Sequence, residues 1–409
     1  MGKPALARRG RLGCAILLVS IALGIATDFA PVAVFAESAQ SQTEPQPDRS
    51  EFRRLLPLTS FYTTPSPLPA GQPGELIRSE QFDEYQLPEG VSAFRILYHS
   101  RSARGMDVAA SGVVLMPDQP PPTGGWPVIA WAHGFTGTAR HCAPSLMRNL
   151  NEGPFLSMYV KLGYAVVATD YVGLGTNFRN ASVDMQSNAT DVIYSVVASY
   201  AAVPQLGRKW VAMGESAGGL AALAIAELES DIRDPDYLGS IAVSGIAEAK
   251  EFYEQIAEVN SPEPLLFLAY GVQTLYPPFQ VNQILTKEAF APYRQIEGGC
   301  AAAVSSHAHQ MLRPGWEDNY FVRQFFARNT VGQKPAYGPL LIISGYADPA
   351  VRTGMTLRAV TRMCKQRDKL QFHQYQGSDF AAVLGDSVRD QLTWIQARFA
   401  GRPASGNCD

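Results

Sequence analysis

The sequence predicts an α/β fold with a mostly parallel eight-stranded sheet, covered by helices and interrupted by one helical insertion. Three observations predict it. Short apolar runs recur, and the later ones alternate with helical stretches, as crossovers between parallel strands require. One junction reads as strand, sharp turn and helix around a serine. Between residues 246 and 335 the alternation stops, and aromatics and prolines accumulate before it resumes.

In chain order, residues 1–36 read as an export signal. Lys3, Arg8, Arg9 and Arg11 form a positive start, Cys14 to Ala26 an apolar core, and Val34-Phe35-Ala36 a small-residue cleavage site. Cleavage after Ala36 would deliver a secreted or periplasmic protein without a stable membrane span. Cys14 precedes the apolar core rather than following it, which argues against a lipoprotein anchor. Residues 37–80 follow as a linker and N-terminal arm. The linker is rich in Ser, Gln, Thr and Pro, and the clusters Phe52 to Leu56 and Phe61-Tyr62 are apolar enough to pack on a core.

The first part of the core, 81–245, holds strands at 93–98, 109–116, 128–132, 165–169, 210–213 and 240–244, with helices at 153–162, 191–201 and 218–228. Residues 246–335 form a helical cap. Its aromatics, among them Phe252, Tyr253, Phe267, Tyr270, Phe325 and Phe326, serve to pack the cap onto the core or to wall an acyl-chain pocket. The second part of the core, 336–409, adds strands at 340–344 and 370–375 and a terminal helix at 387–399.

The chemistry centres on Gly214-Glu215-Ser216-Ala217-Gly218. It follows the apolar run Trp210 to Met213 and precedes the Ala-rich stretch Gly219 to Ala226. This is the pattern of a nucleophile elbow, with small residues where the backbone passes close to itself. On such an architecture an acid and then a histidine follow the serine in chain order. Asp348 lies just past the strand 340–344, at the C-terminal end where catalytic groups collect in open α/β sheets. After the last strand, the loop that would present a histidine reads Gln376-Gly377-Ser378-Asp379-Phe380.

Four motifs in order resemble the secretory lipase family of the α/β-hydrolase superfamily, the group of the fungal lipase A type and its bacterial relatives. They are Ala132-His133-Gly134-Phe135-Thr136-Gly137 with Cys142-Ala143-Pro144-Ser145; Ala168 to Gly175; the Ser216 elbow; and Gly345-Tyr346-Ala347-Asp348. The resemblance spans about residues 80 to 400 and implies a lipase or esterase, with triacylglycerols among the expected substrates. Such an enzyme would hydrolyse an apolar ester through an acyl-enzyme on Ser216, with Asp348 as the orienting acid and no cofactor or metal. Its oxyanion hole would use the Ala217 N–H and a second from Gly134 or Phe135. The family pattern Gly-x-Asp-His departs here to Gly377-Ser378-Asp379-Phe380, so the general base is missing from its usual place.

Six histidines exist to replace it, of which His373, His307 and His309 are the candidates; His133 opens the oxyanion loop and reads as structural. Without any base, serine's hydroxyl is a poor nucleophile. The alternative is therefore a catalytically silent relative that binds an apolar ligand or a partner protein. A peptidase would need cap charges to read a peptide terminus, and Glu251, Glu254, Glu258 and Glu263 are more simply a solvated face.

Composition agrees with this reading. At 409 residues, 46% hydrophobic and 17% charged, the chain can bury one large core and a smaller cap. A net charge of −3 and the absence of a basic stripe or phosphate-binding loop exclude nucleic acid and nucleotide as partners. Once the signal is removed, Cys142, Cys300, Cys364 and Cys408 remain, with three possible pairings in an oxidising compartment. The family resemblance favours Cys142 with Cys300 and Cys364 with Cys408.

Overall fold

A computed structural model describes Gly2 and residues 55–258, 261–301 and 307–408. The export signal and residues 37–54 of the linker lie outside the described residues. All elements below belong to the unit Asp48–Asp409.

The sheet has nine strands: β1 (Leu76–Gln81), β2 (Val91–Arg101), β3 (Asp107–Pro117), β4 (Trp126–Ala132), β5 (Ala165–Thr169), β6 (Leu206–Glu215), β7 (Tyr237–Val243), β8 (Leu340–Gly345) and β9 (Leu370–Tyr375). Their spatial order is β1-β2-β3-β5-β4-β6-β7-β8-β9. The first three strands pair antiparallel with one another and with β5, and β5 to β9 run parallel.

The count of eight strands is corrected by β1. Leu-Ile-Arg-Ser-Glu-Gln has three half-buried and then three exposed residues, so it shows no alternating face. It is a strand because its backbone is held along β2, a contact to which local pattern is blind.

Helices cover both faces of the sheet. On one side lie α2 (Met185–Ala202), α3 (Ala217–Ile232) and α9 (Thr353–Lys365); on the other lie α1 (Gly153–Lys161), the single turn α10 (Val383–Asp386) and α11 (Val388–Phe399). The helix α2 begins six residues before its expected start, because the buried Asp184 caps it by accepting from the Ser187 N–H at 3.0 Å.

Between β7 and β8 the insertion forms α4 (Ala249–Glu258), α5 (Glu263–Leu275), α6 (Phe290–Gly298), α7 (Ala308–Met311) and α8 (Tyr320–Arg328). Most of its aromatics are buried: Phe252, Phe267, Tyr270, Phe279, Phe325 and Phe326 join the core cluster under α2 and α3. Glu251 pairs with Arg358 and Glu254 with Lys250, ordinary surface ion pairs of a solvated face.

The insertion is tied to the C-terminal ends of the strands. Cys142 is bonded to Cys300, Thr138 donates to Ile296 O, and Gln255 donates to Pro349 O. Arg328 grips Asp184 through two hydrogen bonds of 2.6 and 2.9 Å. The second bridge, Cys364 to Cys408, closes the C-terminus onto α9.

A bridge closing 158 residues restricts the unfolded chain strongly. Replacing Cys142 and Cys300 together by serine is expected to lower unfolding stability by about 2–5 kcal/mol, measured by denaturant titration of the oxidised proteins.

Candidate active site

The elbow is built by close backbone packing. Ser216 has φ 55° and ψ −123°, a conformation that side-chain-bearing residues rarely adopt. The surroundings hold it there. Its N–H donates to Val243 O of β7 at 3.0 Å, and its carbonyl accepts from the Leu220 N–H at 3.1 Å as α3 begins. A Cβ on Gly218 would lie 1.9 Å from Ala132 O, and one on Gly214 would lie 2.3 Å from Gly218 O. Both glycines are therefore demanded by the approach of α3 to the ends of β4 and β6. Gly218→Ala is expected to cost about 3 kcal/mol or more, read as a lowered denaturation midpoint or loss of soluble protein.

Ala217 is the first residue of α3, where backbone N–H groups have no partner within the helix. Gly134 and Phe135 follow the end of β4. All three residues line one small cavity, so the expected oxyanion donors border a common space. The loop is braced from below by His133, which is buried, stacked on Tyr171 with ring centroids 4.2 Å apart and set against Gly134 O and Asp170 O. Burial lowers the His133 pKa to about 4, so the ring is neutral and acts as a prop. From above, Phe135 packs on Phe267 of α5 with ring centroids 4.3 Å apart.

A buried carboxylate supports the same loops. Asp170 accepts from the Ser145 N–H at 2.8 Å and from the hydroxyls of Ser145 and Ser111 at 2.5 and 2.6 Å. This network joins the motif Cys142 to Ser145 to the motif after β5, and it accounts for Ser145 in the one and Asp170 in the other.

Asp348 lies just beyond the end of β8, with β7 between it and the elbow strand β6. At the usual strand spacing the two strand ends stand about 10 Å apart. One carboxylate oxygen accepts from the N–H groups of Ala350 and Val351, each at 2.8 Å. The other, Oδ2, is buried and has no hydrogen bond among the described residues. Ser244 comes near enough to lower the carboxyl's pKa slightly but stays outside hydrogen-bond geometry. Burial dominates and raises the Asp348 pKa. A buried acceptor without a donor leaves Asp348 able to receive a hydrogen bond from a neighbouring N–H.

Phe380 is half-buried on the turn after β9. Its loop is bound to that of Asp348: the Ala347 N–H donates to Ser378 O at 3.0 Å, and the Tyr346 N–H to Tyr375 O at 2.9 Å. Asp379 accepts from the N–H groups of Ala381 and Ala382 and acts as a turn cap.

The other histidines are placed as follows. His373, inside β9 opposite Ile343, bonds Asp390 of α11 through Nδ1 at 2.6 Å, and Tyr375 donates to the same carboxylate at 2.8 Å. It lines a cleft of about 340 Å³ with Arg398 and Arg402, and neither Ser216 nor Asp348 lines it. His307 caps the short helix α7, and the backbone of His309 lies in that helix. His141 lies beside Cys142 and Cys300, whose sulfurs are joined to each other and hold no thiolate for a metal.

One residue of the site escaped the sequence reading. Glu215, the variable residue ahead of the serine, points its carboxylate at the oxyanion loop: a Cβ on Gly134 would lie 2.6 Å from Glu215 Oε1 and 3.6 Å from Ser216 Cβ. The only available signal was an acid inside the elbow pentapeptide.

An elbow serine at the end of a central parallel strand, with helix-start and loop donors beside it and an acid beyond the second strand over, defines an α/β-hydrolase. The chain belongs to the secretory lipase family, whose model matches residues 150–407. Among solved structures it is similar to lipase A of Candida antarctica, with a TM-score of 0.71 at 18% identity, covering 87% of this chain and 89% of that one. It is also similar to the rice cell wall degrading esterase LipA of Xanthomonas oryzae (TM-score 0.67, 17% identity, 80% and 97% covered). A third is a putative hydrolase of Legionella pneumophila (TM-score 0.69, 18% identity, 79% and 98% covered). No curated protein matches the sequence. No helix among the described residues is long and apolar enough to cross a membrane.

Proposed function

We propose that this protein is an exported serine hydrolase of apolar carboxylic esters, a lipase or esterase that works through an acyl-enzyme on Ser216. The observation that carries this reading is the backbone at Ser216, held at φ 55° between β6 and α3. Strain of this kind persists only where the surroundings enforce it, and it lifts the hydroxyl clear of the sheet end. Ala217 and Gly134, bordering the same cavity, would stabilise the oxyanion, and Asp348 would orient the base. Both disulfides suit a protein that works outside the cell. Hydrolysis of short-chain p-nitrophenyl esters by the full chain, beside Ser216→Ala, tests the reading. Equal rates in the two would overturn it.

A second reading is favoured by Phe380 and the unpartnered Oδ2 of Asp348. With an aromatic ring where the base belongs, the same site would bind an apolar ligand or partner without turning it over. The outcome that separates the two is turnover that appears only in Phe380→His.

A further inference from the structure

We propose that Glu215 is the proton acceptor for Ser216, taking the part of the histidine that Phe380 replaces; the proposal rests on the serine-hydrolase reading above. Three observations carry it. Glu215 Oε1 and Ser216 Cβ lie 2.6 and 3.6 Å from the one point that a Cβ on Gly134 would occupy, so carboxylate and hydroxyl share the same small space, where a direct hydrogen bond or one bridging water can join them. Glu215 is only partly shielded, and its carboxylate has no hydrogen bond or ion pair among the described residues. By contrast Asp170, Asp184 and Asp191, the buried acids nearby, are all engaged. A carboxylate left unpaired beside a nucleophile is arranged for chemistry rather than for stability.

Its charge state fits the task. Burial, reinforced by the negative charge of Glu152, raises the Glu215 pKa to about 7, so it is a stronger base than an ordinary carboxylate and is ionised above neutrality. The titratable groups that act on it are Glu152 ahead of α1 and Tyr171 after β5, and His133 stands next in the chain to Gly134. Burial keeps His133 neutral and raises the Tyr171 pKa, so both are uncharged near pH 7.

The proton transfers balance. Ionised Glu215 takes the Ser216 hydroxyl proton as Oγ attacks the ester carbonyl carbon. The resulting carboxylic acid returns that proton to the departing alkoxide as the C–O bond breaks, leaving the acyl-enzyme and an alcohol. In the second half Glu215 takes a proton from water, whose oxygen attacks the acyl carbon, and Ser216 recovers a proton as the acid leaves. An anion beside Gly134 would oppose the oxyanion forming there. Glu215 carries no charge at that moment, because it has just accepted the proton.

The experiment measures kcat/KM for p-nitrophenyl butyrate against pH in the wild type and in Ser216→Ala, Glu215→Gln, Phe380→His and Glu215→Gln/Phe380→His, with thermal melts of each. Wild-type activity is expected to rise with pH through about 7, since the base works ionised. Glu215→Gln, which preserves shape, is expected to lower the plateau by about 100-fold or more and to remove that inflection. Adding Phe380→His to Glu215→Gln is expected to restore turnover, because histidine makes the carboxylate dispensable. If Glu215→Gln keeps the wild-type rate and inflection while Ser216→Ala is inactive, the proposal falls and the serine reading stands. Where Phe380→His alone gains turnover, a double variant that melts normally but remains as inactive as Glu215→Gln would mean the carboxylate merely props Gly134, and the proposal falls. A wild type without Ser216-dependent hydrolysis overturns both.

Discussion

Phe380→His, made beside Glu215→Gln so that no other base contributes, is expected to raise ester turnover by about 10²- to 10⁴-fold over Glu215→Gln alone, the contribution of a positioned general base. The acid that would orient the new imidazole is already in place. Asp348 Oδ2 is buried and lacks a donor, and the loops of residues 346–349 and 376–380 are joined by the Ala347 N–H to Ser378 O bond. Imidazole is smaller than the phenyl ring, so the turn after β9 can receive it without a clash. Satisfying a buried carboxylate also stabilises the fold, by about 1–3 kcal/mol, so the variant should melt no lower than the wild type. The new activity should rise with pH through the histidine range, about 6 to 7. No gain in a folded variant would mean that residue 380 does not face Asp348 closely enough to complete a triad.

Ser216→Ala is expected to remove about 10²- to 10⁴-fold of the remaining ester hydrolysis in the wild type, and a larger share in Phe380→His. Only the hydroxyl can form the acyl-enzyme, so the loss should appear in kcat rather than in KM. A fluorophosphonate probe provides a second readout, since it labels an activated serine covalently: Ser216→Ala should show no label where the wild type does. Alanine at this position relaxes nothing in the backbone, because φ 55° is imposed by the Val243 and Leu220 hydrogen bonds. The loss is therefore chemical, and the melt should stay close to that of the wild type.

Much of the fold was legible because its signals are local. Buried parallel strands such as Leu340–Gly345 are continuous apolar runs, and the crossover helices between them have their own period. The elbow was legible for the same reason: glycine at 214 and 218 records backbone contacts that no other residue permits. β1 was not legible, because its polar residues are strand only by pairing with β2, and the early start of α2 depends on a cap at Asp184 that is also held by Arg328 from the distant α8.

The sequence by itself determined the class of the protein and the residue types at its proposed centre: Ser216 in the elbow, Asp348 after β8, the Gly134 loop and Phe380 on the turn after β9. These are covalent facts, set by residue type and spacing along one chain. Tertiary structure alone decided their partners. It engaged His373 with Asp390 on the α11 side, left Asp348 Oδ2 without a donor, and laid the Glu215 carboxylate against Gly134 beside the serine. Each of these depends on which side chains meet across the ends of strands far apart in the chain. Burial then turned an ordinary acid into one poised near neutrality, a change that solvent removal makes and residue type does not.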